Sequence, residues 1–264
     1  MDRAELDRQY SPSSLVPHFK TILDRYRSES AAARARLVCE PDVRYGPDPA
    51  EVLDFFPATR PDAPLHVFVH GGHWQQLSKD DSSFAAPAFV AAGAAFAALG
   101  YGLAPGRDLP AMVASVRRGL AWLRARHDRV YASGSSAGAH LVAMALTSMP
   151  GIAGACLLSG VYDLEPVRRS YVNDAVGLTA ATAFANSPLH HLPLHTTDVI
   201  VARGADETAE YARQHTMFVS ALEARGASTT DLVVAGRNHF DLPLDLGRPD
   251  TVLGRAVLDQ MRLR

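Results

Sequence analysis

The sequence predicts an α/β fold with a mostly parallel central sheet flanked by helices, and three observations carry that expectation. Short apolar runs alternate with amphipathic stretches along most of the 264 residues. The runs are continuous rather than apolar at every second residue, as in strands covered on both faces. The amphipathic stretches fall between the runs, where crossover helices must lie when successive strands run parallel.

In chain order, residues 1–36 read as a helical arm outside the sheet. RLVCEPDVRYGPDPAEVLDFFPA, from Arg36, reads as two strands joined by a Pro/Gly turn, an antiparallel start. LHVFVH (65–70) reads as a strand, and the Ala-rich AAFAALGY (94–101) as another, placed by the helical patterns on either side. RVYAS (129–133), AGACLLS (153–159), DVIVAR (198–203) and DLVVAG (231–236) complete the strands. Residues 109–127 place Met112 or Val113, Val116, Leu120 and Leu123 at helical steps, with Pro110 in the first turn. Residues 207–226 repeat the pattern and stop at Gly226; residues 248–263 form the closing helix. Region 160–196 interrupts the alternation and reads as short helices, a cap-like insertion over a site. The length suits one domain spanning residues 1–264.

Hydrophobic residues make up 47% of the chain, enough for a substantial core, and the net charge of −2 offers no basic excess to neutralise phosphates. Nucleic-acid and anionic-membrane partners are therefore not expected. Cys39 and Cys156 form no metal or redox spacing. The charged opening MDRAELDRQYSPSS lacks the apolar stretch of a signal peptide, and no run is long enough to span a bilayer. A cytoplasmic protein is expected, with a small-molecule substrate as partner and a homodimer as the self-association considered.

The chemistry concentrates at three places. Gly134-Ser135-Ser136-Ala137-Gly138 follows a predicted strand and precedes the apolar helix AHLVAMAL. That context fits a nucleophile elbow, in which a tight turn lifts the central hydroxyl, Ser136, above the sheet edge. A second strand ends in His70-Gly71-Gly72-His73-Trp74, where a Gly-Gly turn offers unobstructed N–H groups to a developing oxyanion. Gly71, Gly72, His73 and the amide of Ala137 are the candidate oxyanion hole; His70 is expected to brace the loop and the His73 side chain to lie in solvent. A serine needs a base, and the base an orienter. His239 follows the last strand, in the loop RNHFDLP, where a base would hang over the sheet edge. For the orienter, the preceding strand ends in Ala205-Asp206-Glu207; Asp206 is the choice, with Glu207 and Glu210 as fallbacks. The crowded His190, His191 and His195 suggest metal by number, but packing or surface roles suit them better. No metal and no cofactor are expected.

HGGHW, GSSAGAHL, SGVYDLEP, NSPL and NHFD, with the opening LDRQYSPSS, together resemble the kynurenine formamidase (arylformamidase) branch of the α/β-hydrolases. The resemblance runs from about Glu5 to the last helix. It implies the α/β-hydrolase fold, a nucleophile at Ser136, an acid at Asp206, a base at His239, and metal-free hydrolysis of N-formyl-L-kynurenine to kynurenine and formate. Trp74 and Tyr162 are the candidates for an aromatic-lined pocket, with core packing as the other reading of Tyr162. The alternatives are a carboxylesterase for small aryl or acyl esters and, further off, a non-catalytic binding protein on the same scaffold.

Overall fold

The computed structural model describes residues 1–192 and 197–263. Its strands are β1 (Glu40–Arg44), β2 (Val52–Phe56), β3 (Leu65–Val69), β4 (Ala95–Leu99), β5 (Val130–Ser135), β6 (Gly154–Leu158), β7 (Asp198–Asp206) and β8 (Thr229–Asn238). They form one sheet in the order β1-β2-β4-β3-β5-β6-β7-β8. β1 with β2 and β2 with β4 are antiparallel; the pairs from β4 through β3 to β8 are parallel. The antiparallel edge is the Pro/Gly-linked pair read from the sequence.

The helices are α1 (Arg3–Gln9), α2 (Phe19–Arg36), α3 (Ala86–Ala91), α4 (Leu109–Arg124), α5 (Ala137–Leu146), α6 (Glu165–Arg168), α7 (Asn173–Val176), α8 (Ala180–Ala185), α9 (Ala209–Ala224) and α10 (Val252–Gln260). α4 starts where its cap dictates: Asp108 accepts a hydrogen bond from the Ala111 N–H, with Pro110 in the first turn. Among the described residues no helix is long and apolar enough to cross a membrane.

The period of two along each strand divides the core between the two faces of the sheet. Leu65, Val67 and Val69 of β3 join Met112, Val116 and Leu120 of α4 and Leu141 of α5 on one side. Phe68 joins Phe84, Phe89, Phe96 and the α10 residues Leu253 and Val257 on the other. β3 and β5, covered on both faces, are buried throughout.

The first helices are fastened to the rest rather than trailing. Leu6 and Tyr10 join the α4–α5 side of the core, Ile22 and Tyr26 the α10 side. The Tyr10 hydroxyl donates to Glu210 at 2.8 Å, the Thr208 hydroxyl to the Gln9 carbonyl at 2.7 Å, and the Tyr26 hydroxyl to the Phe240 carbonyl. Region 160–196 carries α6, α7 and α8, and Arg3 pairs with Asp174 of α7 at 2.7 Å. Of its histidines, His195 lies outside the described residues.

From β3 the chain goes to β4 on one side, then crosses to β5 on the other. Loops leaving the carboxyl ends of strands at such a switch point diverge and leave a crevice between them. Here those loops are His70–Trp74 after β3 and the Ser136 turn after β5.

Candidate active site

Ser136 sits between the last residue of β5 and the first of α5, with φ 55° and ψ −116°. A non-glycine residue there is strained, and the neighbours explain how it is held. The Ser136 N–H donates to the Leu158 carbonyl of β6 at 2.8 Å. Gly138 lies so close to β3 that a Cβ would overlap the carbonyl oxygens of Val69 and His70. A Cβ on Gly134 would overlap Gly138 in the same way. The glycines thus let α5 fold back against β3 and β5, and its N-terminus, with its partial positive charge, lies beneath the hydroxyl.

The loop after β3 runs beside this turn. Gly72 has φ 94°, His73 φ 51° and Trp74 φ 60°, a run of left-handed residues that turns the backbone sharply. The Gly72 carbonyl accepts from the Gln75 and Gln76 N–H groups. Among the described residues, the N–H groups of Gly71, Gly72, His73 and Ala137 have no acceptor in the protein. His70 braces this loop from below: its ring stacks on Tyr101 at 4.2 Å and its Nδ1–H donates to the Gly71 carbonyl at 3.0 Å. Burial pushes that imidazole down to about 4, so it is neutral near pH 7.

His239 follows β8 in a turn closed by Asp241, whose carboxylate accepts the Asn238 N–H at 2.7 Å and side-chain amide at 2.8 Å. The imidazole Nδ1–H donates to Glu207 at 3.0 Å. That carboxylate has a side-chain exposure of 0% and is also held by the Ser159 hydroxyl at 2.6 Å and the Gly204 N–H at 2.7 Å. The orienter expected from sequence, Asp206, is therefore corrected to Glu207: Asp206 is exposed and is paired in the β7–β8 ladder with Asn238. The cause is a bulge. Between Gly204 and Asp206 the register with β8 slips, from Val234 to Asn238 across two steps of β7. Simple alternation along β7 does not survive that slip. The second fallback, Glu210, is engaged elsewhere, with Tyr10, Arg213 and Gln214.

Ser136, His239, His70, Gly71, Gly72 and His73 border one cavity of about 240 Å³. Its aromatic lining differs from the expectation. Trp74 packs edge-on against His140 at 5.2 Å and Tyr162 stacks on Phe218 at 3.9 Å, both inside the core. Phe19, Tyr26, Phe68, Phe84, Tyr171 and Phe240 line the cavity instead. Half of that set comes from the first helices and the insertion, whose approach to the site has no local sequence signal. His73 is also drawn in rather than left in solvent: it lines the cavity, with Nε2 3.3 Å from the Tyr211 hydroxyl. Burial, with a smaller effect of neighbouring His239, pushes its ring down to about 4. Tyr211, unremarked in the sequence, packs its ring 4.4 Å from that of His239.

Three further histidines are held by packing and hydrogen bonds away from the cavity. His140 donates to the Asn186 carbonyl at 2.7 Å, His215 pairs with Asp231 at 2.6 Å, and His190 stacks on Phe184 at 4.5 Å. Among the described residues no group of His, Cys, Asp and Glu could hold a metal ion.

A buried carboxylate, an imidazole and a strained serine at the carboxyl edge of a mostly parallel sheet suit acyl transfer, and similarity to known proteins agrees. The kynurenine formamidase of Danio rerio is 36% identical over 98% of this chain and 96% of its own. That of Salmo salar is 34% identical over 99% and 97%. The chain belongs to the kynurenine formamidase family. The family model BD-FAE matches residues 53–214 of this formamidase-family chain. Esterase LipQ of Mycobacterium tuberculosis is 28% identical over 92% of this chain and 64% of its own. Among solved structures, a protein from Silicibacter sp. TM1040 superposes with a TM-score of 0.87 at 24% identity, covering 95% of this chain and 98% of its own. Esterase B from Lactobacillus rhamnosis gives 0.74 at 15%, over 94% and 96%. Both carry the α/β-hydrolase fold shared by this chain.

Proposed function

We propose that the protein hydrolyses N-formyl-L-kynurenine to L-kynurenine and formate, a step of tryptophan breakdown, with Ser136, His239 and Glu207 as its catalytic triad. The observation that carries the reading is the near-full-length similarity to kynurenine formamidases, 36% over 98% of the chain. Support comes from His239, which borders the same cavity as Ser136 and donates a hydrogen bond to the buried Glu207 behind it.

In the reaction, His239 Nε2 accepts the Ser136 proton as Oγ bonds to the formyl carbon. Glu207, on Nδ1, fixes the tautomer and stabilises the imidazolium. The N–H groups of Gly72, His73 and Ala137 receive the oxyanion, with Gly71 shaping the turn. His239 then gives its proton to the departing arylamine nitrogen as the C–N bond breaks. Water, deprotonated by the same imidazole, attacks the formyl-serine, and formate leaves as Oγ regains its proton.

Similarity to esterase LipQ favours ester hydrolysis by the same residues as the second reading. Comparing kcat/KM for N-formyl-L-kynurenine and p-nitrophenyl acetate separates the two. A formamidase favours the formamide by at least about tenfold, a difference of ~1.4 kcal/mol in transition-state binding. A preference for the ester would overturn the assignment.

A further inference from the structure

The cavity that opens on Ser136 has an uneven charge. Among the described residues that line it there is no lysine or arginine, and its one carboxylate is Asp81. Asp81 ends the 3-10 turn Lys79–Asp81, and one of its oxygens is already engaged. Oδ2 accepts the Ser78 N–H at 3.1 Å and lies 3.3 Å from the Ser78 hydroxyl. The other oxygen is met only by a long ion pair. Oδ1 has Arg27 Nε at 3.7 Å, beyond hydrogen-bond length, and that arginine is 68% exposed and closer to Asp24, at 3.2 Å. The Asp81 side chain itself is only 15% exposed, so its field in the cavity is poorly screened.

The surrounding wall is aromatic. Tyr26 stacks on Phe84 at 4.8 Å, and Phe19 and Phe240 lie 5.3 Å apart. Ring faces attract cations and offer nothing to an anion. His70 and His73, both neutral near pH 7, add no positive charge.

We propose that Asp81 is the counterion for an ammonium group of the substrate, so that the cavity selects aryl amides or esters whose ring bears a short cationic arm. The inference rests on the formamidase reading and deepens it: the α-ammonium of N-formyl-L-kynurenine goes to Asp81. Its α-carboxylate, with no cation on the wall to meet it, is directed towards solvent. Capping of the 3-10 turn explains Oδ2 alone; among the described lining residues the side chain that performs it also supplies the one carboxylate.

The test compares kcat/KM for N-formyl-L-kynurenine and its des-amino analogue, in the wild type, Asp81→Asn and Asp81→Glu. The ratio is internal to each protein, so a loss of folded material cancels. The wild type favours the ammonium-bearing substrate by about tenfold or more, mostly through KM, as expected of a desolvated charge pair. Asp81→Asn, which keeps an oxygen for Ser78, brings the ratio near one, and Asp81→Glu retains much of the preference. A wild-type ratio near one, or a preference that Asp81→Asn leaves intact, overturns the inference while leaving the formamidase reading standing. If no formamide is hydrolysed, that reading fails by itself, and phenyl acetates with and without a trimethylammonioethyl arm test Asp81 in the same way. Turnover of neither class overturns both.

Discussion

At position 207 a carboxylate is sealed from solvent by three donors; one residue earlier, at 206, a carboxylate faces water. The chemistry of an orienting acid needs the first environment, because a carboxylate shared with bulk water holds an imidazole only loosely. Glu207→Gln is therefore expected to lower kcat/KM by about 10³–10⁴, the usual cost of losing the acid of such a triad. Asp206→Asn is expected to stay within a few-fold of wild type. Parallel kinetics of the two variants check this, and the opposite ranking contradicts it. The placement of Ser136, His239 and the Gly71–Gly72 turn at strand ends around one cavity was legible in the sequence because the signals are local: small residues and chemistry at a strand's end. Glu207 was legible only as a fallback to Asp206, since the bulge that aims it depends on how β7 meets β8. Trp74 was misread, and Tyr162 left between pocket and core, for a related reason: the composition of a motif says which ring is present, whereas tertiary packing decides where it lies.

At the scale of elements, strain gathers around the site. His73, Trp74, Leu77, Ser136 and Ser159 all have positive φ without being glycine. Each borders the cavity, adjoins it or holds Glu207. Such conformations cost roughly 1–3 kcal/mol apiece and persist only where packing enforces them. The close approach of α5 to β3 is part of that enforcement. Gly138→Ala places a methyl against the Val69 and His70 carbonyls, and the helix must move. Overpacking of this kind costs about 1–3 kcal/mol, and a shift of Ser136 from its partners lowers turnover further. Melting curves and kcat together check this: both fall, and an unchanged kcat would show that the α5–β3 contact does not position the serine. The strands and long helices were legible because both faces of the sheet are covered and each crossover has a clean periodicity. Short α6, α7 and α8 were legible only as an interruption, since pieces of four to six residues carry too few periods to delimit.

Across the whole molecule, distant segments meet at the cavity: Phe19, Leu23 and Tyr26 of α2 and Tyr171 from between α6 and α7 are part of its wall. Folding also leaves several imidazoles deep inside. Burial pushes His66 down to about 3 and His70 and His140 to about 4. In the unfolded chain the same rings bind a proton near ~6.5. As pH falls from 7 towards 4, the unfolded state thus takes up protons that the folded state refuses, and stability declines. The melting temperature at pH 5 is expected to lie below that at pH 7, and His140→Asn to reduce the difference. Equal melting temperatures at the two pH values would contradict that linkage.

The proposed hydrolysis depends on Ser136 being a nucleophile activated by the imidazole of His239. A fluorophosphonate probe followed by peptide mass spectrometry measures this directly, because such reagents phosphonylate only an activated serine at a useful rate. The result expected is one stoichiometric adduct, on Ser136, formed at least about a hundredfold more slowly in His239→Ala, in line with the contribution of a general base. An unlabelled Ser136, or equal labelling rates in the two proteins, would contradict it.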